Sequence, residues 1–199
     1  MSKLYTKSGD QGLTFIFRSK KKMRKSSQVF DLLGDLDLLN SLLSLVRTHL
    51  QDHPSLMRIV QSLQGLILEI GAEINIGQVR EELRVASDDI KILERLIDYC
   101  CSKTPDLQNF ILPGSTEVGS LIHVCRALTR QVERRLVGAQ RKLNIRQELI
   151  IFFNRLSDFL FALARYYDIL LSRQAELTWK SGESKECFQR CALELVQDE

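Results

Sequence analysis

Proline and glycine are scarce in this chain, at 3 and 10 of 199 residues. A turn-rich β fold needs more of both at its chain reversals, so the shortage favours helix. Long apolar runs are missing too. None approaches the roughly 20 residues of a membrane span, and the first residues lack the apolar stretch and cleavage pattern of a secretory signal, so a cytosolic protein without a membrane partner is expected. Cysteines number 5, odd and irregularly placed, with Cys100 and Cys101 adjacent; a disulfide scaffold is not expected, and reduced thiols are. Cys187 and Cys191 stand one helical turn apart, but no histidine lies near to complete a metal site, and buried thiols are the simpler reading. Only 3 histidines occur, none in a Glu-x-x-His pair, which speaks against a di-iron or di-manganese carboxylate bundle. His123, the one on a predicted core helix, reads as a satisfied packing residue. No serine or cysteine has a base placed beside it by sequence, so covalent hydrolysis has no support.

What is present fits one soluble domain. The hydrophobic fraction of 44% and charged fraction of 27% are ordinary, and a net charge of +3 is too small to imply nucleic acid by itself. Apolar periodicity predicts helices over about 28–51, 54–75, 87–101, 116–143 and 146–172, with Pro54 suited to a first turn and Ser87 to an N-cap. The leucines of the first helix cover more than one stripe, which implies burial between several helices or at a subunit contact. The expected fold is an all-α, five-helix bundle in one domain over 1–175, with an irregular loop at 5–27 and a tail at 176–199 that offers one short amphipathic helix.

Three polar clusters are not needed for such a fold. The first is Thr6-Lys7-Ser8-Gly9-Asp10-Gln11-Gly12. Glycines there let a ligand approach backbone N–H groups, and Lys7 with the hydroxyls of Thr6, Ser8 and Thr14 adds charge and donors suited to phosphate, although a surface turn is the simpler reading of the loop alone. The second is Arg126, Arg130, Glu133 and Arg134, which share nearly one helical face. Two forked guanidiniums one turn apart suit a triphosphate, with Glu133 placed to orient one or meet a ribose hydroxyl; a solvated salt-bridge ladder is the plain alternative. The third is Asn154-Arg155-Leu156-Ser157-Asp158, set between Ile150-Ile151-Phe152-Phe153 and Phe159-Leu160-Phe161, where polar groups need partners, for example Asp158 with an arginine of a neighbouring helix. Phe110-Ile111-Leu112 lies in a loop yet is too apolar to be merely solvated. The basic run from Arg18 to Lys25 reads as a solvated arm, with nucleic-acid binding as the sharper alternative.

These pieces, in this order, resemble the propanediol-utilisation type of ATP:cob(I)alamin adenosyltransferase from about Tyr5 to Tyr167. Four carry the resemblance: Tyr5 to Gly12; Gly34-Asp35-Leu36-Asp37-Leu38-Leu39-Asn40; Phe110-Ile111-Leu112-Pro113-Gly114; and Arg126, Arg130 and Glu133 followed by Asn154 to Asp158. The resemblance implies a homotrimer with ATP between subunits and Mg²⁺ accompanying it. Thr6, Ser8, Gly9, Asp10 and Gly12 would wrap the triphosphate, with Lys25 contacting it. Arg126 would pair with Asp37 of a neighbour, Arg130 would face the phosphates, and Glu133 and Asn154 would hold ribose or triphosphate. Phe110 would occupy the lower face of the corrin of cobalamin. The implied reaction transfers the 5′-deoxyadenosyl group of ATP to cob(I)alamin. The chain departs from the pattern at Leu38, where the family carries Glu, at Ser115, where a second glycine is common, and in the basic 18–25 segment. These departures keep a diverged, non-catalytic ATP- or cobalamin-binding protein as a second expectation, and a helical interaction or nucleic-acid-binding protein as a third.

Overall fold

Leu32, Leu36, Leu39, Leu43 and Val46 recur at three- and four-residue spacing along α1 (Gln28–Thr48), and all are buried. Val60, Leu63, Ile67, Ile70 and Ile74 do the same on α2 (Pro54–Ile76). The short connection between them turns the chain back, and α1 packs along α2. Their polar seam is reciprocal: Asn40 Nδ2 donates to the Gln64 carbonyl at 3.3 Å, and Gln64 Nε2 donates to the Asn40 carbonyl at 3.0 Å. The computed structural model describes residues 5, 7, 9–16, 21–76 and 84–197.

Three more helices complete the bundle: α3 (Ser87–Lys103), α4 (Glu117–Leu143) and α5 (Gln147–Tyr166). The packing order is α2, α1, α4, α5, α3, because α4 lies against both α1 and α5, and α3 lies against α5. The most buried of them is α5, on which Phe152, Phe153, Leu156, Phe159, Leu160 and Leu163 are essentially inaccessible. Each such side chain contributes about 1.5–3 kcal/mol on burial, so this helix carries much of the core. Its start is tied to α2 by a bidentate pair, Arg146 Nε and Nη2 donating to the Glu73 carboxylate at 2.6 and 3.0 Å. The Glu73 hydrogen bonds raise the pKa of Arg146 above the ordinary arginine value.

The chain then enters a π-helical turn, Tyr167–Leu171, which carries the buried Asp168. Asp168 accepts from Thr116 Oγ1 at 2.6 Å and from the Ser115 N–H at 2.9 Å. Thr116 in turn caps α4 by accepting from the Gly119 N–H at 2.9 Å. The end of α5 is thereby fastened to the start of α4.

The all-α expectation holds, with differences at the edges. The segment expected as an irregular loop and solvated arm contains a hairpin: β1 (Leu13–Ile16) pairs antiparallel with β2 (Lys21–Arg24), Thr14 opposite Met23. Buried Ile16 and half-buried Met23 anchor it to the core, which the basic composition of the strand conceals. α1 ends at Thr48 rather than Gln51, because Thr48 Oγ1 and His49 Nδ1 both take up the Leu45 carbonyl, at 2.7 and 2.8 Å. α3 is capped one residue earlier than expected, by Ala86, whose N–H donates to the Asp89 carboxylate at 2.8 Å. Residues 183–197 form α6 (Glu183–Gln197), and both Cys187 and Cys191 are exposed on it, not buried.

Candidate functional site

Position along α4 and α5 decides which polar side chains meet. Glu133 on α4 faces Asn154 on α5, and Asn154 Nδ2 donates to Glu133 Oε1 at 3.0 Å. Asn154 Oδ1 accepts from Arg155 Nη1 at 2.7 Å, while Arg155 Nε donates to Glu94 on α3 at 2.9 Å. The amide is therefore held in one orientation from both ends, and a chain of polar contacts crosses three helices. With Arg130, Arg134 and Val137, Glu133 and Asn154 line a cavity of about 280 Å³. Arg130 and Arg134 are exposed there and form no ion pair among the described residues. The salt-bridge ladder is not what forms. Instead two exposed guanidinium groups border a cavity whose floor is an oriented amide and a carboxylate, a surface suited to phosphate and hydroxyl groups.

Arg126, one turn before Arg130, is half-buried with its guanidinium 6.0 Å from the centre of the Phe161 ring. Its Nε is buried without a partner, and burial with the charge of Arg130 pushes it below the ordinary arginine range. His123 packs its ring edge-on to Phe161 with centroids 5.9 Å apart, as a packing residue should, but its Nδ1 is buried and unpartnered, so the satisfied histidine expected from sequence is not found. Burial, then the Arg126 charge, lowers its pKa. Asp158 finds a partner on its own helix, Arg155 at 3.8 Å, rather than on a neighbouring one. Asp37 is exposed on α1 and makes no ion pair among the described residues; it borders a separate cavity of about 280 Å³ between α1 and α2.

Two tight turns shape the described part of the N-terminal loop: the Asp10 N–H donates to the Lys7 carbonyl at 3.4 Å and the Gly12 N–H to the Gly9 carbonyl at 3.2 Å. Lys7 has φ 57° and Gly12 φ 72°, the left-handed region. The Lys25 N–H donates to the Gly12 carbonyl at 2.8 Å, and the Lys25 ammonium lies so close to Gly9 that a Cβ there would be 3.0 Å away. Lys25 and the glycine loop are thus neighbours, and Thr14 follows in β1. Thr6 and Ser8 lie outside the described residues. No hydrogen bond or ion pair among the described residues joins this loop to the Arg130 cavity within one chain.

Phe110 is 80% exposed on the loop between α3 and α4. Its ring meets Trp179 edge-on at 6.3 Å, and the two border a cavity of about 620 Å³ with Leu107, Gln108, Asn109 and Lys180. Sequence reasoning demanded an apolar cover for this loop without finding it. Within the chain the cover is not found: Trp179 meets Phe110 only edge-on, and Phe110 and Leu112 stay exposed; no periodicity links positions so far apart in the chain. Glu94 and Arg155, which hold Asn154, also went without a role; the adjacency of Arg155 to Asn154 was the available signal.

The class these features define is a helical bundle with a polar Arg-Glu-Asn cavity between two adjacent helices, a glycine loop beside a lysine and an exposed aromatic loop. Residues 4–167 match the family model for cobalamin adenosyltransferase. The corrinoid adenosyltransferase of Bacillus subtilis strain 168 is 33% identical over 166 residues, covering 82% of this chain and 85% of that protein. The corrinoid adenosyltransferase PduO of Salmonella typhimurium is 36% identical over 168 residues, and the aligned part spans 83% of this chain but only 49% of that protein. Among solved structures, a variant of a PduO-type ATP:corrinoid adenosyltransferase from Lactobacillus reuteri complexed with cobalamin and ATP matches with a TM-score of 0.80 and 31% identity, covering 90% of this chain and 100% of that one. The chain belongs to the cobalamin adenosyltransferase family.

Proposed function

We propose that this protein transfers the 5′-deoxyadenosyl group of ATP to cob(I)alamin, giving adenosylcobalamin and triphosphate. The observation that carries the reading is the cavity where Glu133 and the doubly held Asn154 stand beside Arg130, in a chain whose family match spans that region. In the reaction the cobalt(I) electron pair forms a Co–C bond to the 5′ carbon as the C–O bond to the triphosphate breaks. The metal of the substrate is the nucleophile, so the protein needs no general base; its work is to bind, orient and stabilise a leaving polyanion. Arg130 meets the phosphates, Glu133 and Asn154 the ribose or triphosphate, and Gly9, Asp10 and Gly12 with Lys25 contact the triphosphate. Phe110 presents an exposed aromatic face to the corrin.

Three finer points belong to the same proposal. The enzyme works as a homotrimer. Leu38 and Leu45 are exposed on α1, and among the described residues Asp37 forms no ion pair and the buried Arg126 Nε has no hydrogen-bond partner, which supports a contact that pairs them between subunits. Mg²⁺ would accompany ATP and offset the charge of its phosphates. The protein acts in the cytosol; among the described residues no helix is long and apolar enough to cross a membrane.

The test is anaerobic: purified protein, Mg²⁺-ATP and chemically reduced cobalamin, following the corrin absorbance from the cobalt(I) to the adenosyl form. Conversion is expected with the native chain and not with Arg130→Ala. Undiminished conversion by Arg130→Ala would sink the site assignment. ATP binding without any conversion by the native chain would leave the diverged binding protein as the reading.

A further inference from the structure

One buried guanidinium joins the start of the Phe110 loop to the C-terminal segment that carries Trp179. Arg165, three turns beyond Asn154 on α5, is only 5% exposed. Its Nε donates to Glu176 Oε1 at 2.5 Å and its Nη2 to Glu176 Oε2 at 3.1 Å, a fork-on-carboxylate geometry. The same Nη2 donates to the Pro105 carbonyl at 2.7 Å. Pro105 begins the segment that leads to Phe110, and Glu176 begins the segment that leads to Trp179. Those two segments then pair: the Leu112 N–H donates to the Leu177 carbonyl, and the Trp179 N–H donates to the Phe110 carbonyl, both at 2.7 Å. Ser115 Oγ adds a further tie to the Ala175 carbonyl at 2.8 Å. The result is a closed ring of contacts from Arg165 through Pro105, Phe110, Trp179 and Glu176 back to Arg165.

Glu176 and Trp179 lie beyond residues 4–167, the span of the family match, and the chain leaves the strap into α6, whose described side chains are exposed. A buried ion pair is also a poor way to gain stability, because an apolar pair of similar volume commonly does as well. What a bidentate pair supplies that an apolar pair does not is direction. Here the direction is spent on the one loop whose aromatic ring is 80% exposed and therefore has little packing of its own to fix it.

Resting on the reading under Proposed function, we propose that Arg165 and Glu176 are positioning residues for the corrinoid half of the reaction: the pair clamps the strap that fixes the Phe110 backbone and the Trp179 edge against it. Neither side chain touches substrate. The cavity assigned to ATP, lined by Arg130, Glu133, Arg134, Val137 and Asn154, includes no residue of the strap.

The test uses the full chain and two variants. Glu176→Gln keeps the shape and removes the counter-charge; Arg165→Met combined with Glu176→Leu removes the pair without stranding a buried charge, and covers the case in which the first variant folds poorly. Both are expected to raise KM for cob(I)alamin about five- to tenfold while KM for ATP stays within about twofold. With cob(II)alamin and ATP bound, electron paramagnetic resonance should show a smaller fraction lacking a lower axial ligand. Native KM for cob(I)alamin in the folded double variant overturns the proposal, as does a parallel rise of both KM values, which marks a general structural role. Absence of adenosylcobalamin with the native chain overturns instead the functional reading on which the clamp rests.

Discussion

The Asp168 carboxylate occupies the space that a side chain at Gly119 would need: a Cβ there would lie 2.1 Å from Oδ1 and 2.5 Å from Cγ. The close approach lets a residue of the π-helical turn reach the first turn of α4, where unpaired N–H groups and the positive end of the helix favour a carboxylate. Gly119→Ala is expected to destabilise the fold by about 1–3 kcal/mol through forced displacement of Asp168. Thermal melting of the variant beside Gly138→Ala checks this, since a Cβ at Gly138 meets only Gln28 Nε2 at 3.6 Å. Equal melting temperatures would mean that the turn shifts freely.

His123 gives the protein an acid sensitivity. Burial and the neighbouring Arg126 lower its folded pKa from 6.5, while the Asp168 and Glu176 charges pull the other way and do not prevail. The unfolded chain therefore binds the proton more readily than the native one, and the unfolding free energy falls as pH drops below 6.5 towards the lower folded value. Above 6.5 the ring is neutral in both states and contributes no slope. Melting at pH 7.5 and 5.5 should show a smaller loss for His123→Gln than for the native protein; an identical loss would mean that the histidine is not responsible.

The thiols divide by environment. Burial pushes Cys100 up to about 11 and Cys125 up to about 12, so neither supplies thiolate near neutrality. Cys101 and Cys187 are exposed. A maleimide reagent at pH 7.5 followed by peptide mapping is expected to modify Cys101 and Cys187 within minutes and to leave Cys100 and Cys125 intact until denaturant is added. Early labelling of Cys125 would show that α4 opens locally.

Helices were legible in the sequence because their apolar spacing persists over many turns, and Gln28 and Pro54 mark the observed starts of α1 and α2. The hairpin was not, because β2 pairs through its backbone while its side chains, Lys21 to Arg24, carry no alternating apolar signal. Cys187 and Cys191 misled for a related reason: an amphipathic pattern predicts a helix, not that a neighbour exists to bury it. Spacing on one helix grouped Arg130 and Glu133, whereas Asn154 could be seen only as a polar residue in apolar surroundings. Its partner Glu133 is 21 residues away, and Arg165 reaches the Pro105 carbonyl 60 residues away while pairing with Glu176 11 residues on. Contacts of that kind leave no local pattern to read.

Asn154 offers a test of how the cavity discriminates charge. Its Nδ2 points at Glu133 and its Oδ1 receives Arg155, so the amide donates to one neighbour and accepts from the other. Asn154→Ala removes both contacts but leaves the charge of the cavity unchanged. Asn154→Asp keeps the size and the Arg155 contact, yet sets a second carboxylate about one hydrogen-bond length from Glu133 and beside the region assigned to triphosphate. Two like charges about 4 Å apart repel by roughly 4 kcal/mol at an effective dielectric of 20, and solvent in this open cavity reduces that figure. Titration calorimetry with Mg²⁺-ATP should therefore rank affinity as native, then Asn154→Ala, then Asn154→Asp, the last weaker than native by about tenfold or more. Asn154→Asp binding ATP better than Asn154→Ala would place the triphosphate elsewhere.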